Sequence, residues 1–143
     1  MLGILIANVF ATFLIGLLIN FVQRHGEANV EVFDKVVEIA RGVVKTRVEA
    51  GATANLVLGI FCGILMYAAV NCKHIIGTVM LVAAFVASGF AHCIADSFYY
   101  VLAGNFKEVI WPFLTVALGN FLGCLFIPMM GMYIEIEEIE IKE

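Results

Sequence analysis

Phe85-Val-Ala-Ser88-Gly89-Phe-Ala-His92-Cys-Ile-Ala-Asp96 is the stretch whose reading decides the fold. It lies in the middle of a long apolar run, residues 75–106, in which Asp96 carries the one formal charge. Taken as a single straight helix at about 1.5 Å per residue, that run would exceed roughly 40 Å. The hydrocarbon core of a bilayer is only about 30 Å thick. The run must therefore tilt strongly or break. Ser88-Gly89 is the natural place for a break, because glycine tolerates non-helical backbone and serine can bond freed amides. Interrupted helices of this kind place polar groups at mid-membrane depth in many transporters.

The rest of the chain supports a membrane reading. Of 143 residues, 63% are apolar and 14% charged, against about 45–50% and about 25% in soluble domains. A small soluble domain has too much surface to hide that excess. Three further runs are long enough to span: residues 2–22, 52–71 and 109–134, all without formal charge. Between the first two, Val32, Val36, Ile39, Ala40 and Val43 recur at helical spacing, with Glu31, Asp34, Lys35, Glu38, Arg41 and Lys45 between them. This predicts an amphipathic helix over residues 31–47 at the membrane surface, running into the second span. The expected fold is an all-α membrane protein with four transmembrane helices, the third broken near 88–89. The acidic tail from Ile134 alternates too briefly to assign to a strand.

The net charge of −4 is mild and concentrated in the C-terminal residues, and no basic cluster points to nucleic acid. Cys62, Cys72, Cys93 and Cys124 lie in or beside apolar runs without paired spacing, which reads as small buried hydrophobes rather than disulfides or metal ligands. Neither a metal nor another cofactor is expected. The first apolar run begins at Leu2 with no basic stretch ahead of it, unlike a cleavable signal.

His92 is the group most able to carry chemistry. An ionisable side chain at that depth is costly unless it faces a cavity or a partner, and imidazole changes charge near neutral pH. The alternative is a neutral histidine hydrogen-bonded between helices. Asp96, four residues on, shares a helical face with His92 and is a possible proton partner. The other reading has it solvated near the membrane surface beside an aromatic belt at Tyr99 and Tyr100. Asn55 and Asn120 read either as glue between helices or as donors to a permeating anion. An internal echo, Ala7-Asn8-Val-Phe-Ala11 against Gly119-Asn120-Phe-Leu-Gly123, suggests two related repeats.

The Phe85–Asp96 run resembles the broken-helix motif of the formate/nitrite transporter family, F-V-x-S-G-F-E-H-S-x-A-N. Leu118-Gly-Asn120-Phe-Leu-Gly123 resembles that family's G-N-x-x-G-G, and Ala54-Asn55-Leu-Val57 its C-N-x-L-V, in family order and with about the expected spacing. Ala91 stands where the family usually has Glu, Asp96 where it has Asn, and Cys124 where it has Gly.

The resemblance implies a homopentamer in a lipid bilayer, of the inner membrane of a prokaryotic cell. Each protomer would have an aquaporin-like inverted repeat and its own pore for a small monovalent anion or its weak acid, such as formate, nitrite or hydrosulfide. This chain would correspond to the third to sixth spans of such a protomer, and the first two spans, with the other broken helix, would be absent. The resemblance also implies a substrate pore lined by His92, Phe85, Asn55 and Asn120, with Phe85 in an apolar constriction and no enzymatic role. The rival expectation is a non-conducting membrane subunit or truncated fragment that only packs against partner helices. The family's topology puts the C-terminus in the cytoplasm, whereas the cluster of Arg24, Lys35, Arg41, Lys45, Arg47 and Lys107 on the opposite face favours the reverse orientation.

Overall fold

The computed structural model describes residues 2–25, 30–104 and 106–140. Its described residues form five helices in chain order and no strand: α1 (Leu2–His25), α2 (Val30–Asn71), α3 (Ile75–Ala87), α4 (Cys93–Ala103) and α5 (Phe106–Glu140). Helix is the expected solution for such runs, since only intrahelical bonding satisfies every backbone group in hydrocarbon. Three helices contain stretches long and apolar enough to cross a membrane: Ile6–Gln23, Glu31–Asn71 and Phe106–Gly131. The third apolar run is divided into the shorter helices α3 and α4. The chain is thus an all-α membrane protein.

The amphipathic segment and the second span are one helix, α2, bent at Gly51, where φ is 74° and ψ 176°. That backbone region is essentially open to glycine alone. The buried seam of the N-terminal part differs from the expected one: Val37, Ala40, Val44 and Arg47 are buried, whereas Val32 and Ile39 are exposed. The seam still has helical spacing, but it is rotated so that it ends on Arg47, a residue the sequence pattern places among solvated charges.

The boundaries differ elsewhere too. The third run leaves helical geometry at Gly104, whose left-handed φ of 73° caps α4 and whose amide donates to the Tyr100 carbonyl. The last helix then begins at Phe106 and continues through the acidic stretch to Glu140. Tyr100 does not belong to an aromatic belt: it is buried against Val44 and Val109, with its ring edge-on to Phe113.

Two seams of small and polar residues bring the helices together. On α2 and α5, Gly59 and Gly63 face Gly119 and Gly123 so closely that a Cβ at Gly59 would lie 2.8 Å from the Val116 carbonyl oxygen. A Cβ at Gly63 would lie 2.9 Å from the Gly123 Cα. Close backbone approach is how helices associate when lipid removes the hydrophobic drive between them. On α1, Thr12, Gly16 and Asn20 form a stripe at i, i+4, i+8 that meets α4. The Thr12 hydroxyl bonds that of Ser97 at 2.7 Å, Gly16 packs under Val101, and Asn20 Nδ2 donates to the Val101 carbonyl at 3.0 Å. Asn8, the counterpart of Asn120 in the internal echo, is exposed, whereas Asn120 is half-buried. Helix α3 has no buried residue and packs on α2.

Candidate functional site

The break between α3 and α4 is built from backbone groups that leave the helical ladder and are recovered by side chains from other helices. At the end of α3, the Ser88 amide still donates to the Ala84 carbonyl (3.0 Å) and that of Gly89 to Val86 (3.2 Å). Gly89 then turns with φ 63°. The chain is extended by His92 (φ −123°, ψ 114°), which is the N-cap of α4.

Two side chains hold this connection from outside. Asn120 of α5 donates through Nδ2 to the carbonyls of Ala91 (2.8 Å) and Gly59 (3.0 Å). Its Oδ1 accepts from the Cys93 amide at 3.0 Å. Both Nδ2 hydrogens and the carbonyl oxygen are therefore engaged with backbone. Arg47 of α2 donates from Nε to Asp96 Oδ2 at 3.0 Å. Its second guanidinium arm reaches the carbonyls of Phe90 at 3.3 Å and Gly89 at 3.4 Å. Arg47 and Asp96 are 7% and 3% exposed, so the pair is buried. Burial of a charge needs such pairing, since an uncompensated ion in an apolar interior is strongly unfavourable. Each charge also sits at the helix end that favours it: the guanidinium at the carbonyl end of α3, and the carboxylate in the first turn of α4.

Asp96 is thus buried rather than solvated at a membrane surface; its backbone amide donates to the His92 carbonyl at 2.8 Å, while no bond joins its carboxylate to the imidazole among the described residues. Its carboxylate is turned to Arg47, which the sequence reading missed. A cation at the inward end of a helical seam, spaced with Val37, Ala40 and Val44, was the signal that could have found it. Asn55 is fully buried, and its Nδ2 takes the Arg47 carbonyl at 2.6 Å across the Gly51 kink. Among the described residues, its Oδ1 and the Tyr100 hydroxyl are buried without a partner. Asn55 and Asn120 therefore brace backbone, at the kink and at the break respectively.

His92 and Phe85 are brought together across the break. Their ring centroids are 5.7 Å apart and the planes are inclined at 60°. Both side chains are half-buried. Phe90 stacks on Phe61, at 5.7 Å and 18°. Imidazole Nδ1 accepts from the Ala95 amide at 3.3 Å. In the neutral ring the proton then resides on Nε2, which becomes a donor toward whatever lies beside the ring. A second proton must go to Nδ1, at the expense of that cap. The positive end of α4 lies at this same point, an arrangement that suits an anion. Ala91, where the resemblance leads one to expect Glu, is fully buried against Cys93 and Val116.

No cluster of three or more potential metal ligands occurs among the described residues. The thiols of Cys62, Cys72, Cys93 and Cys124 are all unpaired.

No curated protein and no solved structure gives a significant match to the chain. The family model described as formate/nitrite transporter matches residues 1–134. With that match spanning the helices that build the break and its two braces, the chain belongs to the formate/nitrite transporter family.

Proposed function

We propose that the chain forms part of a path for a small monovalent anion or its weak acid, such as formate, nitrite or hydrosulfide, and that His92 is the group the substrate meets at mid-depth. The observation that carries this reading is the paired placement of His92 and Phe85 at the break, with Nδ1 occupied and Nε2–H left as donor. A bare anion loses too much hydration in an apolar passage. An N–H donor at the amino end of α4 offsets part of that loss, and sharing a proton with the substrate offsets more. The Phe85 ring narrows the passage next to the imidazole. Asn120 acts from behind, by holding the backbone of the break, and Asn55 acts one step further back, by holding the Arg47 carbonyl at the α2 kink. The family resemblance further supports a homopentamer of aquaporin-like protomers, in a prokaryotic inner membrane.

The test is flux against pH in proteoliposomes for the wild type, His92→Asn and His92→Phe. Asn keeps a hydrogen bond but cannot carry the proton, so the pH dependence should disappear while assembly persists. Phe should close the path. An Asn variant with the wild-type pH profile would make His92 a structural histidine. The flux is read on protomers in which the family's first two spans accompany this chain, and absence of flux from such a well-assembled protomer would favour the rival reading, a subunit that only packs against partner helices.

A further inference from the structure

We propose that Arg47 is a positioning residue for His92: its guanidinium clamps both sides of the helix break and so fixes the imidazole in a single tautomer, with Nε2–H directed to the substrate.

The geometry is specific to the guanidinium. Nε is taken by Asp96 on the α4 side, while the second arm serves Gly89 and Phe90 on the α3 side. His92 lies between those two attachment points and caps α4 through the Ala95 amide. The cap requires the amides of the first turn of α4 to stay where they are relative to the extended residues before them. Asp96 is in that turn, and Phe90 is in the extended stretch. Arg47 thus holds the two parts of the chain whose relative position determines whether Nδ1 reaches its donor. The clamp is itself braced, since the Arg47 carbonyl is gripped by Asn55 beyond the Gly51 kink. A lysine has one nitrogen at the end of a flexible stem and cannot reproduce the planar fork.

The groups around the break make the charge pattern simple. From α2 come Arg47 and Cys62, from α4 Asp96, Cys93 and Tyr100, and from α5 Cys124 and the neutral Asn120. Arg47 and Asp96 are the two formal charges in this set, and they cancel.

The experiment is ¹⁵N NMR of histidine-labelled full chain in lipid bilayers, with the His92 signals assigned by their loss in His92→Asn. It is run on the wild type, Arg47→Lys, Arg47→Gln and Asp96→Asn. The wild type should give one neutral ring species at high pH, with Nε2 protonated and Nδ1 shifted as a hydrogen-bond acceptor. Arg47→Lys keeps the charge but loses the fork, so the ring should show both tautomers or a broadened Nδ1 signal. Asp96→Asn keeps an acceptor for Nε, so a single tautomer should persist. If Arg47→Gln does not assemble, the lysine variant decides. A lysine variant with the wild-type ring signature overturns the proposal, as does a wild type with mixed tautomers.

The inference rests on the transport reading only for its consequence, and the two fail differently. If the clamp holds and His92 carries the substrate, Arg47→Lys should lower maximal flux about ten-fold or more, the order lost when a donor is misplaced. It should do so with little change in half-saturating concentration. A changed ring signature with unchanged flux per assembled protein would leave the clamp standing and remove His92 from the path.

Discussion

Replacing Asn120 by Ala tests whether the break is held from α5. The side chain makes three bonds, to the carbonyls of Ala91 and Gly59 and from the Cys93 amide. The Gly59 carbonyl lies within α2 and keeps its helical acceptor role, so its loss is minor. The Ala91 carbonyl and the Cys93 amide lie at the break, outside the regular ladder. Leaving a buried backbone group without a partner costs about 1–3 kcal/mol. Bonds between helices within membranes average nearer 0.6 kcal/mol when removed singly, because the alternative state also finds partners. Two orphaned groups, one lesser bond and the cavity left by the amide together give about 2–4 kcal/mol. Asn120→Asp should be no better than Ala, since a carboxylate still accepts from Cys93 but turns oxygens toward two carbonyls. The assay is reversible unfolding in mixed detergent micelles, followed by circular dichroism. A loss below about 0.5 kcal/mol in both variants would refute the bracing role.

Gly51→Ala should cost about 1–3 kcal/mol, because any Cβ is strained at φ 74°, ψ 176°; thermal unfolding checks it, and an unchanged midpoint would mean that the kink is not required. Gly63→Ala should be worse tolerated than its size suggests, since the Cβ meets backbone of Gly123 and Cys124 at 2.9 Å. Overpacking of this kind costs about 1–3 kcal/mol, and the yield of monodisperse protein by size-exclusion chromatography is the readout, with Gly42→Ala, where nothing lies within 4 Å, as the control. Phe85→Ala should raise flux or loosen selectivity among small anions in proteoliposomes, and an unchanged profile would reduce the ring to packing.

How much of this was legible in the sequence depends on the range of the interaction involved. The helices follow from local composition, because a charge-free apolar run in lipid has few alternatives. The turn at Ser88-Gly89 is equally local: an overlong run and a glycine are both visible in one dimension. The seam of Gly59, Gly63, Gly119 and Gly123 was half visible, since the small residues recur at the right spacing but nothing in the sequence pairs one helix with the other. The burial of Arg47 was not visible, for a definite reason. Among Arg41, Lys45 and Glu49 it looks like one more solvated charge, and only its contact with Asp96, 49 residues later, makes it a buried one. Asn120 was singled out as either glue or a pore donor, and local sequence could not decide where its amide would point. Tyr100 beside Tyr99 mimics a belt, yet Val44 and Val109 from two other helices cover it.

The separation between Arg47 and Asp96 has a consequence for how the chain is made. Arg47 leaves the ribosome well before the residue that neutralises it. At about 5–20 residues per second, their separation of 49 in sequence corresponds to roughly 2–10 s of synthesis. Through that interval α2 carries an uncompensated guanidinium, which the translocon admits to the centre of a helix at about 2.5–3.5 kcal/mol. Arg47 lies near the outer end of the apolar part of α2, where it can snorkel to headgroups while it waits. Once Asp96 emerges, the short helix α4 enters beside a cation already in place. The pair can form only when α2 and α4 are both in place, so the compensation of Arg47 waits on a helix made later in the chain.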